Sequence, residues 1–173
     1  MKKLVFTLPA SLYEGILLKG EDEVLVDKYS MIGDELYGTP AKIWRAPGKA
    51  YELTSEMLKE HIDYAGDRLI LPPEDIVLQI VHNPEFYRNE LVRIAEEIEN
   101  AGDYEGIVLV SPSVISNALP SVYARRSGFE ESFVPWLTSN DILVLDAEKG
   151  TITKRSFDYG PLTKNLKTNP RLP

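Results

Sequence analysis

The sequence predicts an α/β or α+β fold: a single domain with a strand-rich N-terminal third, central helices, a buried strand near 106–110 and a C-terminal β-hairpin. Three observations predict it. Gly106 to Val110 is an unbroken apolar run, as in a strand covered on both faces. Between Asn83 and Asn100 the apolar residues recur at helical spacing. Finally, Asp141 to Asp146 and Thr151 to Lys154 flank Ala147-Glu148-Lys149-Gly150, a hairpin turn with glycine where a positive φ is needed.

Taken in order, short apolar runs at Leu4 to Leu8, Ile16 to Leu18, Val24 to Val26 and Ala41 to Trp44 are separated by Gly20-Glu21-Asp22, Gly33-Asp34 and Gly38-Thr39-Pro40. They read as three or four short strands. Ala46-Pro47-Gly48-Lys49 is a turn. A helix is expected to follow, with Thr54 as its cap, Leu53 and Leu58 as a staple pair, Glu56 near the positive dipole end and a stop near Gly66. Pro73-Glu74-Asp75 suits the first turn of a short helix over Ile76 to His82. Asn83 then caps a longer helix with Pro84 at its first position, running to Asn100 with Gly102 as the stop. Phe86, Leu91, Ile94 and Ile98 form its apolar stripe, and Glu90, Arg93, Glu96, Glu97 and Glu99 face water. After the strand at Val108 comes Ser111-Pro112-Ser113 and a mostly apolar segment to Arg126, completing an α/β signature.

Composition bounds the function classes. The 173 residues are 43% hydrophobic, enough for a packed core rather than a disordered chain. There is no cysteine, which removes disulfides, iron–sulfur clusters, thiolate zinc and cysteine nucleophiles. The N-terminal apolar run breaks at Pro9, too early for a signal peptide, and no window approaches the roughly 20 apolar residues of a membrane span, so a cytoplasmic location is expected. The net charge is −8, distributed unevenly: residues 151–173 carry five basic groups against one acid, so residues 1–150 hold −12. An acidic body repels phosphate backbones, and duplex nucleic acid is not expected as a partner. Residues 1–160 are read as one domain and 161–173 as a basic irregular arm, drawn to acidic surface on its own body or on a second copy, the latter giving a homodimer.

The best candidate site is the turn after the buried strand. Ser111, Ser113, Ser116 and Asn117 lie at its carboxyl end, where a helix N-terminus offers free N–H groups to an anion, and Arg125 and Arg126 follow one helix-length later. The plainer account is that Ser111 and Ser113 cap a helix. No glycine-rich phosphate loop is present. A serine triad has only His61 and His82 to draw on and lacks a G-x-S-x-G setting, so no catalytic residue is assigned. Glu56, Glu60 and Asp63 share a helical face by spacing, but a solvated acidic face accounts for them better than a magnesium or manganese site, and no metal or other cofactor is expected. Aromatics gather at Tyr29, Tyr37, Trp44, Tyr51 and Tyr64, and again at Tyr123, Phe129, Phe133 and Trp136 among arginines and glutamates. The second set suits core packing, an interface, or a pocket stacking on a flat ring.

Tyr123-Ala124-Arg125-Arg126-Ser127-Gly128 and the final hairpin resemble the swivelling phosphohistidine domain of phosphoenolpyruvate-utilising enzymes. That family's phosphorylated histidine falls at Leu119, and the first 100 residues show no relation to it, so membership is not inferred. Two function classes follow from the residues. One is a small-molecule binding domain for an anion such as a nucleotide or other phosphorylated ligand, held by Ser111, Ser113, Ser116, Asn117, Arg125 and Arg126. The alternative is a non-enzymatic protein-interaction module, such as a small accessory or virus-encoded inhibitor protein.

Overall fold

A computed structural model describes residues 3–10, 12–13, 16–17, 21–70, 76–102, 106–130 and 133–156. The strands are β1 (Lys3–Thr7), β2 (Leu12–Tyr13), β3 (Ile16–Leu17), β4 (Pro40–Arg45), β5 (Asp63–Leu69), β6 (Gly106–Val110), β7 (Asp141–Asp146) and β8 (Thr151–Ser156). The helices are α1 (Glu21–Glu35), α2 (Lys49–Leu58), α3 (Ile76–His82), α4 (Pro84–Asn100) and α5 (Ser113–Arg126). Six strands form one sheet in the order β5-β4-β6-β1-β7-β8, and β2 pairs with β3 separately. The four strands β5, β4, β6 and β1 are parallel, while β7 runs antiparallel to β1 and β8 to β7. This is a mixed α/β fold, as the sequence predicts.

The pleat divides each central strand between two cores. On one face Val5, Ile43, Val108 and Val110 pack with Leu25, Tyr29 and Ile32 of α1, with Leu36 just past its end and with Leu58 of α2. On the other, Leu4, Phe6, Trp44, Ile107 and Leu109 pack with Leu91, Ile94, Ala95 and Ile98 of α4 and Ile115, Leu119, Tyr123 and Ala124 of α5. Every residue of β6 is buried, as its uninterrupted apolar run requires. Helix α4 follows its sequence except at Phe86: the Asn83 side chain accepts the Phe86 N–H at 3.2 Å, Pro84 occupies the first turn, and Leu91, Ile94, Ala95 and Ile98 are its buried residues, but Phe86, expected in the stripe, lies in the first turn and is 39% exposed. The β7–β8 hairpin turns through Gly150 at φ 64°.

Three expectations are corrected. Val24 to Val26 lie in α1 and not in a strand, because Leu25, Tyr29, Ile32 and Leu36 recur at helical spacing and all four are buried. Thr54 is not an N-cap: α2 starts at Lys49 after Gly48, and Thr54 sits inside it, donating to the Ala50 carbonyl at 2.8 Å and accepting the Ala10 N–H at 2.8 Å. That helix ends at Leu58, not near Gly66, which belongs to β5. Glu56 and Asp63 therefore share no helix, and among the described residues no group of three metal-binding side chains occurs. The arm at 161–173 lies outside the described residues. Among the described residues no helix is long and apolar enough to cross a membrane.

Candidate functional site

The sheet topology creates a crevice before any side chain is considered. Strand β4 exits into α2 on the first face, whereas its neighbour β6 exits into α5 on the opposite face. On the other side of β6, β1 again leads towards the first face, through β2 and β3 into α1. Adjacent parallel strands whose connections diverge leave a gap at their carboxyl ends, and ligands of open α/β sheets collect there.

All three exits are built alike. Each strand is followed within three residues by a proline: Pro9 after β1, Pro47 after β4 and Pro112 after β6. Proline fixes φ and supplies no N–H, so the chain leaves the sheet sharply, and the first donors at the crevice are the amides beyond it. At β6 these belong to Ser113 and Val114, since the Ile115 and Ser116 N–H groups return to the Pro112 carbonyl, both at 2.9 Å. At β4 they belong to Gly48 and the first turn of α2, ahead of the Glu52 N–H that bonds to the Gly48 carbonyl at 3.0 Å. Neither helix start has a side-chain cap. Gly48 has φ 128°, and a Cβ there would stand 3.3 Å from the Tyr51 ring, so only glycine makes this turn without strain. Strand registry brings the two starts together: Arg45 pairs with Val110, and the Ala46 N–H donates to the Val110 carbonyl at 3.1 Å. The bond from Ala10 to Thr54 ties the exit of β1 to the same cluster.

Arg45, the last residue of β4, adds a cation beside α2. Its Nε donates to Asp67 Oδ2 at 3.3 Å, and its Nη1 lies 4.0 Å from Glu52. That Nη1 is buried and makes no hydrogen bond. Asp67 is held in turn by the buried Ser55 hydroxyl, which donates to both carboxylate oxygens at 3.0 and 3.1 Å. Tyr51, in the first turn of α2, has its phenol pKa pushed up by burial, and so does Tyr87, whose hydroxyl donates to the Val114 carbonyl at 2.9 Å.

The six residues singled out from the sequence divide by position. Ser111 and Ser116 are fully buried beneath the start of α5, their hydroxyls 2.7 Å apart, with Ser116 Oγ also 3.1 Å from the Ser111 carbonyl. Ser113 is exposed at the helix start. Asn117 is a clamp one turn on: its Oδ1 accepts the Leu137 N–H at 2.6 Å, and its Nδ2 donates to the Leu137 carbonyl at 3.1 Å and reaches Ser113 Oγ at 3.2 Å. Arg125 and Arg126 are at the far end, about 18 Å from Ser113 at 1.5 Å per residue, so one small anion does not meet both groups. Arg126 is paired with Glu96 at 3.2 Å and Glu99 at 2.9 Å, and both arginines suit the negative end of the α5 dipole. The histidines are elsewhere: His61 Nδ1 is 3.4 Å from Ser30 Oγ at the amino end of β5, and His82 ends α3. Sequence reading missed Arg45 and the start of α2. The signal was present, because Ala46-Pro47-Gly48 after a strand repeats the plan of Ser111-Pro112-Ser113.

No family model and no curated protein matches the chain. Solved structures do. Over 91% of this chain and 92% of the other, it superposes on a phosphoglycerate mutase from Plasmodium falciparum with a TM-score of 0.51 and 13% identity. Over 91% and 96% it superposes on a protein assigned as the phosphohistidine phosphatase SixA from Agrobacterium tumefaciens, with a TM-score of 0.51 and 10% identity. At these identities the likeness is one of fold, spanning nearly the whole of each chain.

Proposed function

We propose that this protein binds a small phosphorylated ligand in the crevice at the carboxyl ends of β4, β6 and β1. The observation that carries the reading is the pair of uncapped helix starts, α2 and α5, on adjacent parallel strands. Each directs free amides and a positive dipole end to one place, and their combined preference is for an anion. The buried Nη1 of Arg45, which makes no hydrogen bond, supports it, and so do the names of the two neighbours, a mutase and a phosphatase of phosphorylated compounds. Ser113 at α5, Gly48 and Lys49 at α2, and Arg45 are the residues through which the ligand is held. Ser111, Ser116 and Asn117 support the loop that presents Ser113. The interaction-module alternative draws on the acidic body and on the aromatic segment from Tyr123 to Trp136, and has no comparable support.

Ser113→Asp tests this directly. A carboxylate at the start of α5 favours the helix dipole but repels an anionic ligand, so the variant melts no lower than the parent while losing stabilisation by inorganic phosphate and ribose 5-phosphate. An Arg125→Ala, Arg126→Ala double variant keeps that stabilisation, because those side chains end the helix away from the crevice. Release of inorganic phosphate from the same esters reads whether the bound ester is also cleaved. If neither phosphate compound raises the parent's melting temperature, the reading fails.

A further inference from the structure

Residues 133–140 cross the molecule at the crevice end. They pass α5 at Asn117 and lead into β7, where Ile142 pairs with Thr7 at the exit of β1. Most of what this segment must do structurally is done by Leu137, which is fully buried, and by Asn117, which holds its N–H and its carbonyl together. The residue before it, Trp136, is 65% exposed, and Phe133 is 77% exposed. An indole is the side chain whose exposure wastes the most apolar area, and a packed fold gains nothing from leaving it in water.

Trp136 is also held in place. Its carbonyl accepts from Lys154 Nζ at 3.3 Å, and Lys154 is in turn 3.6 Å from the Asp141 carboxylate. On its other side the Asn117 fork fixes Leu137. The backbone under the indole is therefore tethered at two successive residues, which restricts where the ring can go. That same Asn117 Nδ2 reaches Ser113 Oγ, so only two hydrogen-bond lengths separate the α5 start from the Leu137 carbonyl. The backbone that carries this exposed aromatic side chain thus runs beside the proposed phosphate end.

We propose that Trp136 is a ring-stacking platform and that the ligand is a phosphate ester carrying a planar ring, as in a nucleoside monophosphate. This rests on the phosphate reading of the crevice and sharpens it to a ligand class. The phosphate is held at Ser113 and the α2 start, and the ring lies against the indole. Stacking on an aromatic side chain is tolerant of ring identity, so purine and pyrimidine monophosphates and simple aryl phosphates all qualify, whereas a bare sugar phosphate does not.

The two tryptophans make the test specific, since Trp44 is 1% exposed and Trp136 is the solvent-facing emitter. The full chain is titrated with adenosine monophosphate, phenyl phosphate and ribose 5-phosphate, following tryptophan emission and affinity by calorimetry. The ring-bearing esters quench emission and bind about tenfold or more tighter than ribose 5-phosphate. Trp136→Ala removes that difference and leaves ribose 5-phosphate affinity unchanged, while Trp136→Phe retains part of it. Adenosine monophosphate leading and phenyl phosphate matching ribose 5-phosphate restricts the class to nucleotides. Equal affinity for all three in the parent overturns the stacking proposal and leaves the phosphate site standing. If none of the three binds, the phosphate reading falls and takes this proposal with it.

Discussion

Helices α4 and α5 lie side by side on one face of the sheet, and both begin at the carboxyl end of the parallel strands, yet their first turns are opposites. Helix α4 is closed: Asn83 accepts the Phe86 N–H, and Pro84 stands where an N–H would go unused. Helix α5 follows a proline too, but no side chain caps it, and α2 on the other face is equally open. A third segment at this end is also closed, for the Asp141 carboxylate accepts from the Thr138 N–H and hydroxyl, both at 2.8 Å, and from Ser156 Oγ at 2.6 Å. Helix ends normally satisfy their orphan donors from nearby side chains. Where two adjacent ends do not, and lie over a topological switch point, the difference separates structural termini from a binding edge.

The largest effect that sharpens the contrast is in the body of α4. Ile94 is fully buried, and Ile94→Ala should destabilise the protein by about 2 to 5 kcal/mol in chemical denaturation. Ligand affinity per folded molecule stays unchanged, because this helix serves the core.

Asp141 comes next. Burial alone would raise its carboxyl, but the hydroxyls of Ser156 and Thr138, the Thr138 N–H and Lys154 together hold it below the ordinary value. A carboxylate depressed on folding adds stability that is complete above its unfolded pKa of about 3.8 and disappears as pH falls through the lower folded value. Asp141→Asn should therefore cost about 2 kcal/mol near neutral pH. Acid melts followed by circular dichroism should show the gap between variant and parent closing only below the ordinary carboxylate range.

A smaller loss is expected at the α4 cap. Asn83→Ala costs about 1 kcal/mol and leaves phosphate binding intact. The smallest change in stability goes the other way: Ser113→Asp gains about 0.3 to 1 kcal/mol, while abolishing phosphate binding. Loss of stability with retained binding at Ser113 would erase the distinction between closed and open ends.

How much of this was legible in the sequence depended on whether one signal acted alone. Helix α4 and strand β6 were plain, since a long stripe with a cap and a fully apolar run have no competing reading. In α1 two signals overlapped: Val24, Leu25 and Val26 form a β-like triplet, while the spacing of Leu25, Tyr29, Ile32 and Leu36 is helical, and burial against the sheet decides for the second. Thr54 misled because threonine suits a cap, yet here its hydroxyl holds Ala10 from inside the helix, a contact 44 residues distant that no local pattern encodes. Of the site, the β6 exit was readable as strand, proline and serine. Its pairing with the β4 exit was not, because it depends on strand order. Arg125 and Arg126 looked close to Ser113 only on paper, since a helix carries them to its opposite end.

The central claim is that the open ends of α2 and α5 form one anion site. Amide nitrogen and proton shifts, recorded for each residue while inorganic phosphate or ribose 5-phosphate is added, test it most directly. Saturable shifts are expected at Gly48, Lys49 and Ala50 together with Ser113 and Val114, all giving the same dissociation constant, with Phe86 at the closed start of α4 unmoved. Shifts gathered at Phe86 or at Arg125 and Arg126, with Ser113 and Gly48 unchanged, would contradict it.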